Sequence, residues 1–194
     1  MNCAYSLLRD HDDIACMMRV LAATVDRLRQ GAYVDPDMLA GLDGFLRRFI
    51  VDCHFRKEDT IVFPHVRAIL PDEIDRTLTC TALHADCVAA LEACHTVLAR
   101  VRHRAMDATT GELAAAVTRC VDRSMVHIAS ERPLLERLRC QPPDAADAQV
   151  LDACAEVERH SLGATGREWY AQVVADYVDI VSTWTSSRSS PAPT

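Results

Sequence analysis

Two short patterns of identical spacing constrain this chain more than its composition does. His54 is followed four residues later by Glu58, and His127 four residues later by Glu131. Each pair stands 43 residues after another histidine, so a shift of 73 residues carries His11, His54 and Glu58 onto His84, His127 and Glu131. Such a repeat reads as a duplicated pair of helices. Four residues is close to one α-helical turn, which puts the His and Glu of each pair on one face, about 6 Å apart along the axis.

The hydrophobic pattern sets all six residues on inward seams. Leu7, His11, Ile14, Met18, Leu21, Val25 and Leu28 recur in steps of four and three, which predicts a helix over about 4–30 packed in a bundle. Asp35 before Pro36 offers an N-cap with proline in the first turn, and Leu39, Leu42, Leu46, Ile50, His54, Glu58 and Ile61 carry a second seam to about Leu70, with Pro64 as a bend. After the stop at Pro71, Ile74, Thr81, His84, Val88, Leu91, Leu98 and Val101 outline a third helix to about Arg104. Beyond the weakly patterned 105–111, the fourth seam is Leu113, Val117, Cys120, Ser124, His127, Glu131, Leu134 and Leu138, ended by Pro142-Pro143. Short connections favour antiparallel neighbours. The expected fold is therefore all-α, an up-down-up-down four-helix bundle over 1–141 with two additional C-terminal helices. Those two, about 145–160 and 166–184, make a C-terminal extension over 142–184, and the polar, Pro-containing 185–194 reads as a disordered tail. Trp169, Val173, Tyr177, Ile180 and Trp184 share one face of the last helix, expected to pack on the bundle or to form a homodimer interface.

Burying a polar group without a partner costs roughly 2–7 kcal/mol, so six ionisable residues at core positions need a common reason. Four imidazoles and two carboxylates at one level of a bundle suit a pair of borderline divalent metals, with the carboxylates bridging. A metal-free hydrogen-bonded core is one alternative, though an expensive one where leucine would fill the space. A single zinc is another, for which six donors exceed a closed tetrahedral set. Two irons are the leading reading.

On these residues the chain resembles the hemerythrin-like family with HHE cation-binding domains. The matching segments are LLRDHDDIACMMRVL around His11, HFRKEDTIVFP at His54–Glu58, ALHADCVAAL at His84 and HIASERPLLERL at His127–Glu131, together covering about 4–140. The resemblance implies a non-haem centre of two iron ions (Fe2+/Fe3+) with a bridging oxo or hydroxo group, for which manganese or zinc are substitutes. It further implies His11 and His54 on one iron, His84 and His127 on the other, and Glu58 and Glu131 bridging. Counting these donors leaves each iron short of an octahedron, with an open position for O2, NO or peroxide. Oxygen-carrying hemerythrins of marine invertebrates have a second His four residues after the third-helix ligand and an Asp five residues after the fourth-helix one. Val88 and Arg132 stand there, so a simple oxygen carrier is not expected. The four-His, two-Glu set is similar instead to bacterial proteins linked to repair of iron centres under nitrosative stress, which usually carry a further N-terminal cysteine-bearing domain. Here the sequence opens on helix one, so the expectation is a protein that binds or senses the ligand. A di-iron enzyme reducing peroxide or NO, or an iron donor or storage protein in oxidative or nitrosative stress, is the alternative.

The formal charge of −7, with Lys and Arg scattered, gives no footprint for nucleic acid or an anionic membrane surface. No signal-peptide pattern and no run of about 18 apolar residues is present, so a cytoplasmic location is expected. The nine cysteines form no CxxC pair and read as reduced thiols, of which Cys80, Cys87 and Cys120 lie within two turns of His84 or His127 and are candidates to line the pocket. Ser124 is the expected polar neighbour of the site. Asp12, Asp13 and Asp59 read as surface charge, His160 with Glu156 as a solvated pair, and His65, His95 and His103 as helix histidines outside the cluster.

Overall fold

A computed structural model describes residues 3–103, 110–142, 145–163 and 166–186, and every regular element among them is helical. Helix α1 (Cys3–Arg29) ends where Gly31 takes φ of 68°. The Ala32 N–H then donates to the Arg27 carbonyl and the Gly31 N–H to that of Leu28, satisfying carbonyls the helix end would leave orphaned. The next helical run, α2 (36–69), starts as predicted: the Asp35 carboxylate accepts from the Asp37 N–H at 2.9 Å, with Pro36 in the first turn. A single 3-10 turn, Pro71–Glu73, separates it from α3 (Ile74–His103). Helices α4 (Thr110–Arg139), α5 (Ala145–Leu162) and α6 (Gly166–Ser186) follow. Residues 104–109 and 187–194 and the side chain of His103 lie outside the described residues, and with them most of the expected loop and tail. No helix among the described residues is long and apolar enough to cross a membrane.

Winding in α2 departs from the expected α-helix. Phe45–Phe55 and Glu58–Val62 are π-helical, and α winding resumes at Phe63, with Pro64 in its first turn. Steps of four in an α-helix overshoot a full turn by about 40° each, so a long run of them spirals off the core face. The wider turn of a π-helix keeps such a run in line. Leu42, Leu46, Ile50, His54, Glu58 and Val62 are all buried, as is the parallel row Phe45, Phe49, Cys53 and Lys57. The seam therefore leaves through Val62, and Ile61 is only half-buried.

The first and fourth seams are buried throughout. The third turns earlier than expected: Thr77 and Cys80 are buried, whereas Ile74 and Thr81 are exposed, because the 3-10 turn rotates the start of α3. Helices α1 and α3 both pack on α4. Two apolar cores result, one containing Ile14, Leu46, Leu91 and Val117, the other Leu7, Val62, Cys80 and Leu134. In all four long helices the singled-out His and Glu residues fall between these cores, so the site is a polar layer with oil on both sides.

The extension docks on the same bundle, with α6 against α1 and α5 against the π-helical part of α2. In α6 Tyr170 and Val174 are buried, Val173, Tyr177 and Trp184 of the expected stripe pack partly buried on the core, and Trp169 and Ile180 are exposed, so the buried face is rotated toward Tyr170. Tyr177 and Trp184 are half-buried against the core, and the guanidinium of Arg27 lies 4.6 Å over the Trp184 ring. The Tyr177 hydroxyl sits directly over Gly41, where any Cβ would collide with it.

Candidate metal centre

Each of the six residues reaches the polar layer from the middle of a long helix: His11 from α1, His54 and Glu58 from the π-helical part of α2, His84 from α3, His127 and Glu131 from α4. All are at least 96% buried, which no sequence pattern of surface histidines would produce. One donor atom from each of His11, His54, Glu58, His127 and Glu131 falls within 4.8 Å of all the others. His84 stands at the edge of this group, its Nε2 3.2 Å from Glu58 Oε2. Glu58 Oε1 faces His54 Nε2 at 3.1 Å and His11 Nε2 at 3.6 Å, and Oε2 also faces His127 Nε2 at 3.9 Å. Glu131 Oε2 lies 3.1 Å from His11 Nε2 and 3.4 Å from His127 Nε2. The Nε2 atoms of His54 and His127 are 3.4 Å apart.

The His54–His127 contact apart, these approaches are close but not aligned as hydrogen bonds: both oxygens of Glu58, both of Glu131 and the Nε2 atoms of His11 and His84 find no hydrogen-bond partner. Buried polar atoms are rarely left in that state. Nitrogen and oxygen atoms of this kind converging on one spot, most of them unpaired by any hydrogen bond, fit divalent cations.

The outer faces of two imidazoles settle their tautomers. His54 Nδ1 lies 3.3 Å from Asp10 Oδ2, and His84 Nδ1 lies 3.0 Å from Asp59 Oδ1. A carboxylate only accepts, so each Nδ1 is the donor, and the inward Nε2 is the position a metal would take. His84 is further fixed by stacking on Phe55 at 4.3 Å and on Phe63 at 5.7 Å, one ring from each apolar core.

Electrostatics divide the four histidines. Burial opposes charge on His11, but contact with Glu131 and Glu58 outweighs it and raises its pKa to about 9. Burial is likewise outweighed at His84, where Asp59 and Glu58 raise it to about 10. For His127 burial wins and lowers it to about 2, and His54 also falls well below its ordinary value. Among the carboxyls, burial works to raise Glu58 but the surrounding imidazoles hold it well below the usual range, whereas Glu131 is raised by burial and by the charge of Glu58. The metal-free layer thus keeps protons on His11, His84 and Glu131, which a cation would displace.

Sequence reasoning assembled all six of these residues but missed what stands behind them. Asp59, read as surface charge, is the carboxylate behind His84. Asp10 and Lys57 are fully buried, with Lys57 Nζ 2.6 Å from Asp10 Oδ2 and 2.7 Å from Glu158 Oε1. Their signal was present: each is a lone charge on an otherwise apolar row, Asp10 between Leu7 and Ile14, Lys57 after Phe45, Phe49 and Cys53. Ser124 is buried one turn before His127, but its hydroxyl has no aligned partner. The cysteines are free, as expected. Burial pushes the thiols of Cys80 and Cys87 up to about 12, and the carboxylates add to the effect, Glu131 and Glu58 at Cys80. At neutral pH they stay protonated and poorly nucleophilic.

Elsewhere, His65 Nε2 approaches Asp147 at 3.6 Å, and His95 bonds Asp43 at 2.5 Å and Arg47 at 3.1 Å. Glu156 pairs with Arg159 rather than with His160, and Asp13 holds Arg167 at 3.0 Å rather than standing free.

A model of the hemerythrin HHE cation-binding domain matches residues 4–138. The chain belongs to this family. Neither the curated proteins nor the solved structures give a match. In this hemerythrin-family chain the matched segment spans α1 to α4 and contains all six convergent residues. Helices α5 and α6, with Glu158 and Arg167, lie beyond it.

Proposed function

We propose that this chain is a non-haem di-iron protein of the hemerythrin type that binds or senses O2, NO or peroxide at a coordination position its own side chains leave free. The reading rests on Glu58. One of its oxygens faces His54 and His11, the other His84 and His127, as a carboxylate bridging two ions would. Glu131 supports the same pairing, its Oε2 lying between one histidine of each set. Two nitrogens and two carboxylate oxygens give each ion four protein ligands, short of the roughly six that iron takes with such donors. When bound, an iron pair supplies the Fe2+/Fe3+ couple and the vacant position. The protein's own part is to hold the ions between two apolar cores, to wall His84 with Phe55 and Phe63, and to keep water from the layer.

On this reading the bundle over 1–141 is up-down-up-down and cytoplasmic, and the helices beyond it, through Ser186, form an extension. The exposed Trp169 and Ile180, on one side of α6, support a second copy docking there. Iron-loaded protein, reduced anaerobically and exposed separately to O2, peroxide and NO, tests the function. About two irons per chain and a visible charge-transfer band responding to one of them supports it. One zinc per chain, or iron inert to all three, contradicts it.

A further inference from the structure

The family domain ends before α5 and α6, yet both helices are linked through Asp10 to a convergent histidine. Asp10 is fully buried and holds His54 Nδ1 at 3.3 Å through Oδ2. That same oxygen takes Lys57 Nζ at 2.6 Å, and the other, Oδ1, pairs with Arg167 at the start of α6. Lys57 is in turn tied to Glu158 of α5 at 2.7 Å, and Arg167 to Asp13 at 3.0 Å. Each charge in this cluster has a partner of opposite sign, the condition under which interior charges persist. The carboxylate is thus held by two cations, Lys57 on Oδ2 and Arg167 on Oδ1, and its third contact is the imidazole.

His84 has no such device. Its carboxylate, Asp59, is 34% exposed and, among the described residues, is otherwise held by Thr81 at 2.9 Å, with no ion pair or hydrogen bond from the extension. Groups behind metal-bound imidazoles set ring orientation and donor strength.

We propose that the C-terminal extension acts on the metal centre as a clamp: Arg167 and Glu158 are positioning residues that hold Asp10, and through it His54, so the extension determines how tightly one of the two ions is kept. The proposal rests on the two-metal reading above. Detaching the clamp frees Asp10 to turn away, His54 loses its fixed orientation, and the His54 half of the centre loosens while the His84 half does not.

The full chain, its Arg167→Gln and Glu158→Gln variants, and the conservative Arg167→Lys are loaded with Fe(II) anaerobically, then challenged with a chelator while retained iron is counted. Wild type keeps two ions. Arg167→Gln, with unchanged helical content in its metal-free form, releases one ion about tenfold or more faster, in line with the 10–100-fold effects of outer contacts, and keeps the other at the wild-type rate. Glu158→Gln does the same more weakly, and Arg167→Lys restores retention. Long-range 1H–15N spectra of the zinc-loaded chain show the His54 Nδ1 resonance displaced in Arg167→Gln and that of His84 unmoved. Equal release from wild type and both Gln variants overturns the clamp while leaving two metals intact. Should Arg167→Gln not fold, Glu158→Gln decides by the same criterion. A wild type holding one ion refutes the two-metal reading, and the clamp then stands or falls on that ion's release. A wild type holding none overturns both.

Discussion

His54 and His84 stand in different halves of the internal repeat, at positions the 73-residue shift does not equate, and each leans on a carboxylate, yet the two surroundings differ. Behind His54 lies a sealed network of Asp10, Lys57, Glu158 and Arg167, drawn from four helices. Behind His84 lies a single aspartate open to solvent, and the ring is steadied by Phe55 and Phe63. The 73-residue spacing relates the inward donors but sets Leu83, Ser130 and Arg132 where Asp10, Lys57 and Asp59 stand, so the outer contacts are particular to each half. One half is rigid through charge pairing and one through aromatic stacking.

Glu58 serves both halves, so its loss erases the comparison altogether. Glu58→Ala is expected to fall well below two irons per chain by elemental analysis, and Glu131→Ala also to fall below two. Full retention in both variants breaks the bridging assignment.

Metal removal comes next in size. A site loaded at 100–1,000 times its Kd stabilises by about 3–4 kcal/mol, which for a chain of this length shifts Tm on the order of 10 °C. Scanning calorimetry with and without chelator measures it.

Asp59→Asn sharpens the contrast, since it touches only the open half. One of two binding steps in an iron titration should weaken by about 10–100-fold with the other unmoved. Equal weakening of both steps would mean that the halves are not independent.

The metal-free protein has a smaller pH signature. His11 and His84 bind protons more tightly folded than unfolded, so their stabilisation is full below about 6.5 and is lost as pH rises through about 9 and 10. Glu131, raised to about 8, loses its contribution from about 4.5 upward and so adds to that decline, while below 6.5 the lowered His54 and His127 outweigh it. His54 and His127 are lowered and cost stability as pH falls below 6.5, and Glu58, also lowered, loses its contribution further into acid. Thermal melts of chelated protein should therefore peak near pH 6.5 and decline toward pH 10, and iron affinity should drop on acidification as displaced protons compete. Least of all, His160→Ala should leave iron content unchanged and stability within about 0.5 kcal/mol, because that side chain is exposed and far along the chain from the layer.

The inward donors were legible because an ionisable residue on an apolar seam is costly, and six at one repeat spacing share one explanation. Asp10 and Lys57 carried the same signal but were read past, since each sits beside a stronger one. What single-helix patterns do not contain is the partner from another element: nothing near Asp59 in sequence points to His84, and nothing near Arg167 points to Asp10. The π winding was foreshadowed by the unbroken four-residue steps from Leu42 to Glu58, which α geometry does not sustain. The tilt of the α6 stripe from Trp169 to Tyr170 depends on how the helix lands against Phe45 and Phe49, 6.1 and 5.5 Å from the Tyr170 ring. That landing is a tertiary event.

The most direct test of the account is an anaerobic Fe(II) titration of the metal-free chain, with bound iron counted at saturation. Two equivalents per chain are expected, bound in steps that Glu58→Ala abolishes together. Saturation at a single equivalent, with Glu58→Ala still binding it, would contradict a centre organised around that carboxylate.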